Sequence, residues 1–122
     1  MLEIALLTLT LTSDGAVRLT MSEMESMAEC HASRTRITEI LDASGIKVIS
    51  ALCGETGLKL TPFEHGAGPD DEKHLFRVEI DGQATFAVVP IAKSDDCVAD
   101  PEGSPQVFCT RSSQSVISKS QP

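Results

Sequence analysis

The sequence has no tryptophan and no tyrosine, and its four phenylalanines make up an aromatic content of only 3%. Stacking platforms for bases and sugars are therefore scarce. Basic residues are also few: ten Lys and Arg stand against 18 Asp and Glu, for a formal net charge of −8. An acidic chain repels phosphate backbones and anionic lipid surfaces. We expect no nucleic-acid or membrane partner, and predict a protein partner or self-association.

Long apolar runs are missing as well. No stretch approaches the ~20 residues that a membrane-spanning helix needs. The N-terminal segment MLEIALLTLTLT is apolar, but Glu3 stands where a signal peptide carries positive charge, and threonines interrupt the run. We interpret this segment as mature sequence, and on that ground we expect a cytoplasmic protein.

Sequence motifs for nucleophiles and cofactors are absent. There is no G-x-S-x-G, no Walker A motif, no dinucleotide fingerprint and no CxxC pair in the 122 residues. We therefore expect no cofactor. The four cysteines are too widely spaced to indicate a zinc ribbon. They can form two bridges in an oxidising compartment or stay reduced in the cytosol.

Two cysteine pairings fit the order of the chain. Cys30 lies in a segment with helical periodicity and Cys53 ends the strand that follows, so a helix packed on a sheet can bring them together. Cys97 and Cys109 bracket a loop with two prolines, and a bridge there would close that loop. Both pairings need an oxidising compartment, which the N-terminus does not support, so the thiol state stays open.

Alternating residues predict a first hairpin. Leucine and threonine alternate over residues 7–12, and residues 17–21 repeat the period of two that is typical of a half-buried strand. A three-residue loop at 13–15 sets Leu11 opposite Val17 and keeps one face apolar. It also places Gly15 where such a loop needs a left-handed residue.

Two further glycine-containing loops follow the same logic. A loop at 80–82 would set Val78 opposite Ala84 on a shared face. A loop at 55–57 would set Leu52 opposite Leu60, although the nearby Pro62 restricts that strand to an edge. Three such loops predict an antiparallel meander.

A helix is predicted between the first two hairpins. Ser22 and Glu25 form a capping box at its start, and Gly45 ends it. Apolar residues recur between them at intervals of three and four. The members of this stripe are Met24, Met27, Cys30, Ile37 and Leu41.

The predicted fold class is α+β, an antiparallel meander sheet with one helix packed on one face. The element order is ββαβββ, with room for one further short strand. We predict a single domain over residues 1–110 and a polar, mobile tail over 111–122. The other sheet face would meet water or a second copy of the chain. It carries Thr8, Thr10, Thr12, Arg18 and Arg77.

The helix offers one candidate metal site. Thioether, thiolate and imidazole groups suit a soft metal ion, and Met24, Met27 and Cys30 lie within about 40° of one line on a helix. His31 lies at the margin of this stripe. The alternative is that these residues are ordinary core fillers, since a helix on a sheet needs an apolar stripe.

A Gly- and acid-rich loop over residues 64–73 offers a second candidate. His65 and Glu64 could bind a divalent ion or supply a general base, although they match no known metal-site spacing. The alternative is a solvated connection. If the protein has an active site, we expect it near His65, because functional residues concentrate on loops carried by a rigid sheet.

Three functional hypotheses follow. The favoured one is a non-enzymatic binding module, working as a homodimer through the open sheet face or an edge strand. The second is a metal- or redox-responsive protein that uses the Cys30 or the His65 candidates. The third is a small enzyme with His65 as general base.

Overall fold

The computed structural model describes residues 3–62, 72–82 and 85–119, and it has an α+β fold, as predicted. Within these residues six strands form one sheet in the order β3-β1-β2-β7-β5-β6, and two more form a small sheet, β4-β8. The elements are β1 (Glu3–Leu11), β2 (Val17–Met24), α1 (Met27–Ala43), β3 (Val48–Thr56), β4 (Leu58–Leu60), β5 (His74–Asp81), β6 (Thr85–Ile91), β7 (Gln106–Ser112) and β8 (Val116–Lys119).

The first hairpin has the predicted register. Leu11 pairs with Val17 and Leu9 with Leu19, so the alternating leucines share one face with the apolar residues of β2. Gly15 has a φ of +86°, the left-handed conformation that the three-residue loop requires. Local alternation and turn chemistry were sufficient to predict this register, because all the paired residues lie within about 25 positions of one another in the sequence.

The large sheet is mixed, whereas a wholly antiparallel meander was predicted. β2 pairs with β7 in parallel, with Val17 opposite Thr110 and Arg18 opposite Arg111. The free edge of β2 is available because β3 returns to the far side of β1. The sheet also curls into a half-barrel, in which the edge strands β3 and β6 approach each other with Cα atoms within 8 Å.

The second hairpin forms with a shifted register. Val78 pairs with Val88, four residues further along than predicted, and the last pair before the turn is Asp81 with Thr85. The shift is an even number of residues, so the apolar faces still agree. The prediction was wrong because it placed Asp81 in the loop, whereas Asp81 belongs to the ladder.

The third hairpin, predicted between β3 and β4, does not form. β4 pairs instead with β8, with Leu60 opposite Val116. Leu58 and Leu60 thereby enter the main core rather than folding back along β3. Residues 111–119, which the sequence assigned to a polar tail, form the end of β7 and all of β8, so the folded structure extends beyond the predicted boundary at residue 110.

The helix begins four residues later than predicted. Its N-cap is Ser26, whose side chain accepts a hydrogen bond from the backbone N–H of Glu29. Ser22 is unavailable as a cap because β2 continues to Met24, which pairs with Ile4 of β1. Hydrogen bonding within the sheet therefore overrides the local capping signal. At the other end the chain leaves the helix through Gly45, with a φ of +77°.

The helix covers the opposite sheet face from the predicted one. The curled sheet encloses its own apolar face, and this inner face holds the main core, built from residues such as Leu7, Leu9 and Phe76. The helix lies on the outer face over a small second cluster around Leu6. Thr8 and Thr10, predicted to face water, are buried on this outer side.

Candidate functional site

The structure places Cys30 and Cys53 in a disulfide with a Cα–Cα distance of 5.9 Å. Cys30 is 0% exposed and Cys53 is 2% exposed, beneath the helix and beside Leu6. The bridge ties the helix to β3. With its sulfur bonded to Cys53, Cys30 has no thiolate to offer a metal ion.

The other residues of the helix candidate do not converge. Met24 belongs to β2 and packs into the small cluster with Cys30, whereas Met27 and His31 are exposed on the helix. Within the described ranges no three His, Cys, Asp or Glu side chains are grouped so that they could hold a metal ion. The loop candidates His65 and Glu64 lie outside the described residues, and their role stays a prediction.

A cluster of ion pairs lies where β2 pairs in parallel with β7. The register sets Arg18 beside Arg111. Between them lies Glu72, whose side chain is only 3% exposed. Arg18 donates to Glu72 Oε1 from Nη2 at 2.8 Å and from Nε at 3.1 Å, and Arg111 Nε donates to Oε2 at 3.4 Å. The buried carboxylate is therefore paired with two guanidinium groups, as its burial requires.

The same cluster includes a fourth group, Asp14 in the first turn. Arg111 Nη2 donates to Asp14 Oδ2 at 2.9 Å. A hydrogen bond from the Thr12 hydroxyl, together with that from Arg111, lowers the pKa of Asp14 to about 2. Asp14 in turn raises the pKa of Arg111. Among the residues that the structure describes here, two cations match two anions, so the cluster acts as a structural clamp.

The side chain of Gln114 hydrogen-bonds to the edge of β2, beyond the short segment of β2 that pairs with β7. Its Oε1 accepts from the backbone N–H of Met21 at 2.9 Å, and its Nε2 donates to the Met21 carbonyl at 2.9 Å and to the Thr61 carbonyl at 2.6 Å. The side-chain amide thus takes the place of a neighbouring strand. Gln114 was not predicted as a functional or structural residue because the polar segment around it carries no apolar periodicity.

The second disulfide joins Cys97 to Cys109 with a Cα–Cα distance of 5.8 Å. Both residues are half-buried. Cys109 lies in β7 directly opposite Arg77 of β5, and Cys97 follows a short 3-10 turn at Ser94–Asp96. The bridge holds an irregular segment, residues 97–105, beside the outer face of β7.

The outer face of β5 and β6 carries exposed apolar side chains. Val89 of β6 is 46% exposed, and Val98, next to the disulfide, is 82% exposed. Val89 pairs with Arg77, which pairs in turn with Cys109, so these residues form one row across three strands. The Arg77–Glu79 ion pair, at 2.7 Å, lies on the same face.

One small cleft opens between β4 and the ends of β1 and β2. Its floor is apolar, with Ala5, Met21 and Leu58, and the Glu23–Lys59 ion pair at 3.5 Å lies on its rim. The free volume is about 40 Å³, room for a water molecule rather than for a metabolite.

Comparisons with known proteins give no relative: no protein family, curated protein or solved structure matches this chain. Among the described residues no helix has the length and apolarity to cross a membrane.

Proposed function

We propose that this chain is a non-enzymatic protein-binding module that works in an oxidising compartment. The observation that carries the proposal is the row from Val89 through Arg77 to the Cys97–Cys109 bridge, a firmly held surface with exposed apolar side chains at both ends. We name this surface, comprising Arg77, Ala87, Val89 and Val98, the β6 face.

The two disulfides support the proposal that the protein works in an oxidising compartment. Structural bridges persist where the environment is oxidising and are rare in the cytosol. Here all four cysteines are paired, and each pair links a covering segment to the sheet. The cytoplasmic location expected from the N-terminal segment is not supported by this pairing, and we replace it with an exported one. Non-reducing mass measurement of protein from its native source tests this point, because two bridges lower the mass by four hydrogens.

The chemistry of the β6 face favours a protein partner. Exposed valines flanked by an ion pair resemble the apolar centre and polar rim of a protein interface. On the other half of the sheet, the helix already covers the outer face. The open sheet face expected from the sequence is therefore reduced to β5 and β6, and a second copy of this chain is the first partner to test.

Light scattering coupled to size-exclusion chromatography tests that partner. We expect the wild type to show a concentration-dependent dimer, and Val89→Asp to remain a monomer because it buries a charge at the centre of the contact. Ile40→Asp is the matched control, since Ile40 is exposed on the helix, away from this face. A wild type that stays monomeric at high concentration, or equal loss of the dimer in both variants, contradicts self-association through the β6 face.

A further inference from the structure

We propose that the Cys97–Cys109 bridge is a thiol–disulfide exchange site, which a dithiol reductant opens while the Cys30–Cys53 bridge stays closed. The inference depends on the different access to the two bridges and does not require the proposed function. It assigns the segment around Cys97 as the contact region for a dithiol partner.

The Cys30–Cys53 bridge is shielded from attack. Exchange requires a thiolate to approach one sulfur of the bridge from outside, so access controls the rate. Cys30 is 0% exposed and Cys53 is 2% exposed. They lie between the helix and β1, with Leu6, Met24 and Ile37 packed around them. A thiolate reaches this bridge only when the helix separates from the sheet.

The Cys97–Cys109 bridge is less shielded than the Cys30–Cys53 bridge. Both cysteines are half-buried, and the neighbour of Cys97, Val98, is 82% exposed. Cys97 also lies in an irregular segment, outside the ladders of the sheet. Cys109 is fixed between ladder pairs of β5 and β7. No unfolding of an element of the sheet is needed for attack at Cys97.

The surroundings of Cys109 favour it as the leaving group. It lies opposite Arg77 on the sheet, and residues in directly opposite positions have neighbouring side chains. Arg111, two residues further along β7, shares this face but is engaged by Asp14 and Glu72. Arg77 pairs with Glu79 through Nη1 at 2.7 Å, and its guanidinium group carries further N–H donors. A nearby guanidinium group stabilises a departing thiolate.

The exchange balances in two steps. A thiolate of the dithiol attacks Cys97 Sγ, the bond to Cys109 Sγ breaks, and Cys109 leaves as a thiolate. The second thiol of the reductant, as its thiolate, then attacks the mixed disulfide, and Cys97 is released. The reductant becomes a disulfide, and the protein gains two electrons and two protons as two thiols.

Opening the bridge would loosen a limited part of the molecule. Without it, the segment over 97–105 keeps the two backbone hydrogen bonds between Asp100 and Val107, at 2.8 and 2.9 Å. It also keeps the bond from Gln106 Nε2 to the Pro101 carbonyl at 2.7 Å. The main core lies on the inner face of the sheet and is not touched by this segment's release. The change is therefore local and reversible.

Graded reduction of the native protein tests the proposal. The protein is exposed to increasing dithiothreitol, free thiols are alkylated, the remaining bridges are reduced and labelled with a second reagent, and peptides are quantified by mass. We expect Cys97 and Cys109 to be labelled at least about tenfold faster than Cys30 and Cys53, because the latter require detachment of the helix. Equal rates, or earlier labelling of Cys30 and Cys53, would overturn the proposal.

A second measurement tests the direction of attack. Brief treatment with glutathione followed by acid quenching traps the mixed disulfide, and peptide mapping locates the adduct. We expect it on Cys97; an adduct on Cys109 overturns the assignment of the leaving group. As a matched control, the variant with Cys97→Ser and Cys109→Ser should keep its remaining bridge closed at the dithiothreitol concentration that opens the wild type.

Discussion

Each half of the outer sheet face carries a different kind of covering segment, held by one disulfide, and the second half leaves β5 and β6 uncovered. Over β3, β1 and β2 lies a regular helix of 17 residues, tied by a buried bridge. Beside β7 lies an irregular segment, tied by a half-exposed bridge. In this fold a cross-link attaches each covering segment to the sheet, and the helix has no broad apolar contact beneath it.

The helix illustrates the point. Only Cys30 and Ser33 of its residues are buried, and Ile37 is half-buried. A helix held by apolar packing usually presents a stripe about 100° wide. The main core, by contrast, contains 14 buried residues on the inner face within the described ranges, and none of them comes from the helix. The stability of the sheet and the attachment of the helix are therefore largely separate.

Truncating the inner core should have the largest effect on stability. Phe76 is buried in the main core, and Phe76→Ala should lower the free energy of unfolding by about 4 kcal/mol, from lost transfer free energy and a cavity. Ile37→Ala, under the helix, should cost about 1 kcal/mol because that side chain is half-buried. Urea unfolding of both variants measures the difference. Equal losses would mean that the helix belongs to the main cooperative core.

Removing the buried bridge should have the next largest effect. The variant with Cys30→Ala and Cys53→Ala should lose about 3 kcal/mol, the chain-entropy value for a loop of 23 residues. Amide hydrogen exchange should then show loss of protection in α1 and retention in β1 and β5. The matched variant with Cys97→Ala and Cys109→Ala should leave α1 protected. If the first variant lost protection in β5 as well as in α1, the stability of the sheet would depend on the attachment of the helix, contrary to our interpretation.

The smallest effect is expected at the junction between the halves, where Asp14 binds Arg111. The folded-state pKa of Asp14 is lowered to about 2 from 3.8, so its ionised form stabilises the fold above the unfolded pKa. That contribution is lost as the pH falls from about 4 through about 2. As the pH is lowered below 4, the melting temperature of Asp14→Asn should therefore fall less steeply than that of the wild type. Parallel curves for the two proteins would mean that Asp14 does not stabilise the fold as part of the clamp.

The fold was predictable from the sequence where the determining contacts are local. The register of the first hairpin follows from alternating residues and Gly15, and the existence of the helix follows from its periodicity. The fold was not predictable where distant segments compete for the same strand edge or sheet face. The face that the helix covers was predicted incorrectly because a curled sheet can bury its own apolar side, which period-two alternation does not reveal.

The candidate site was less predictable than the fold. The Arg111–Asp14 contact joins residues 97 positions apart, and neither residue stands out in its local sequence. The pairing of Cys97 with Cys109 was available from spacing, but the choice between bridged and reduced thiols depends on the compartment. The exposure of Val89 depends on which side of the sheet curls inward, a property of the assembled strands.

The amide of Gln114 also bears on how the molecule is made. It hydrogen-bonds to Met21, 93 positions earlier in the sequence, and together with β7 it completes the outer edge of the first hairpin. During synthesis that hairpin emerges before β7 and Gln114, so its edge stays without these partners until residue 114 has been added. A chain cut before that residue would leave β2 open to misassociation.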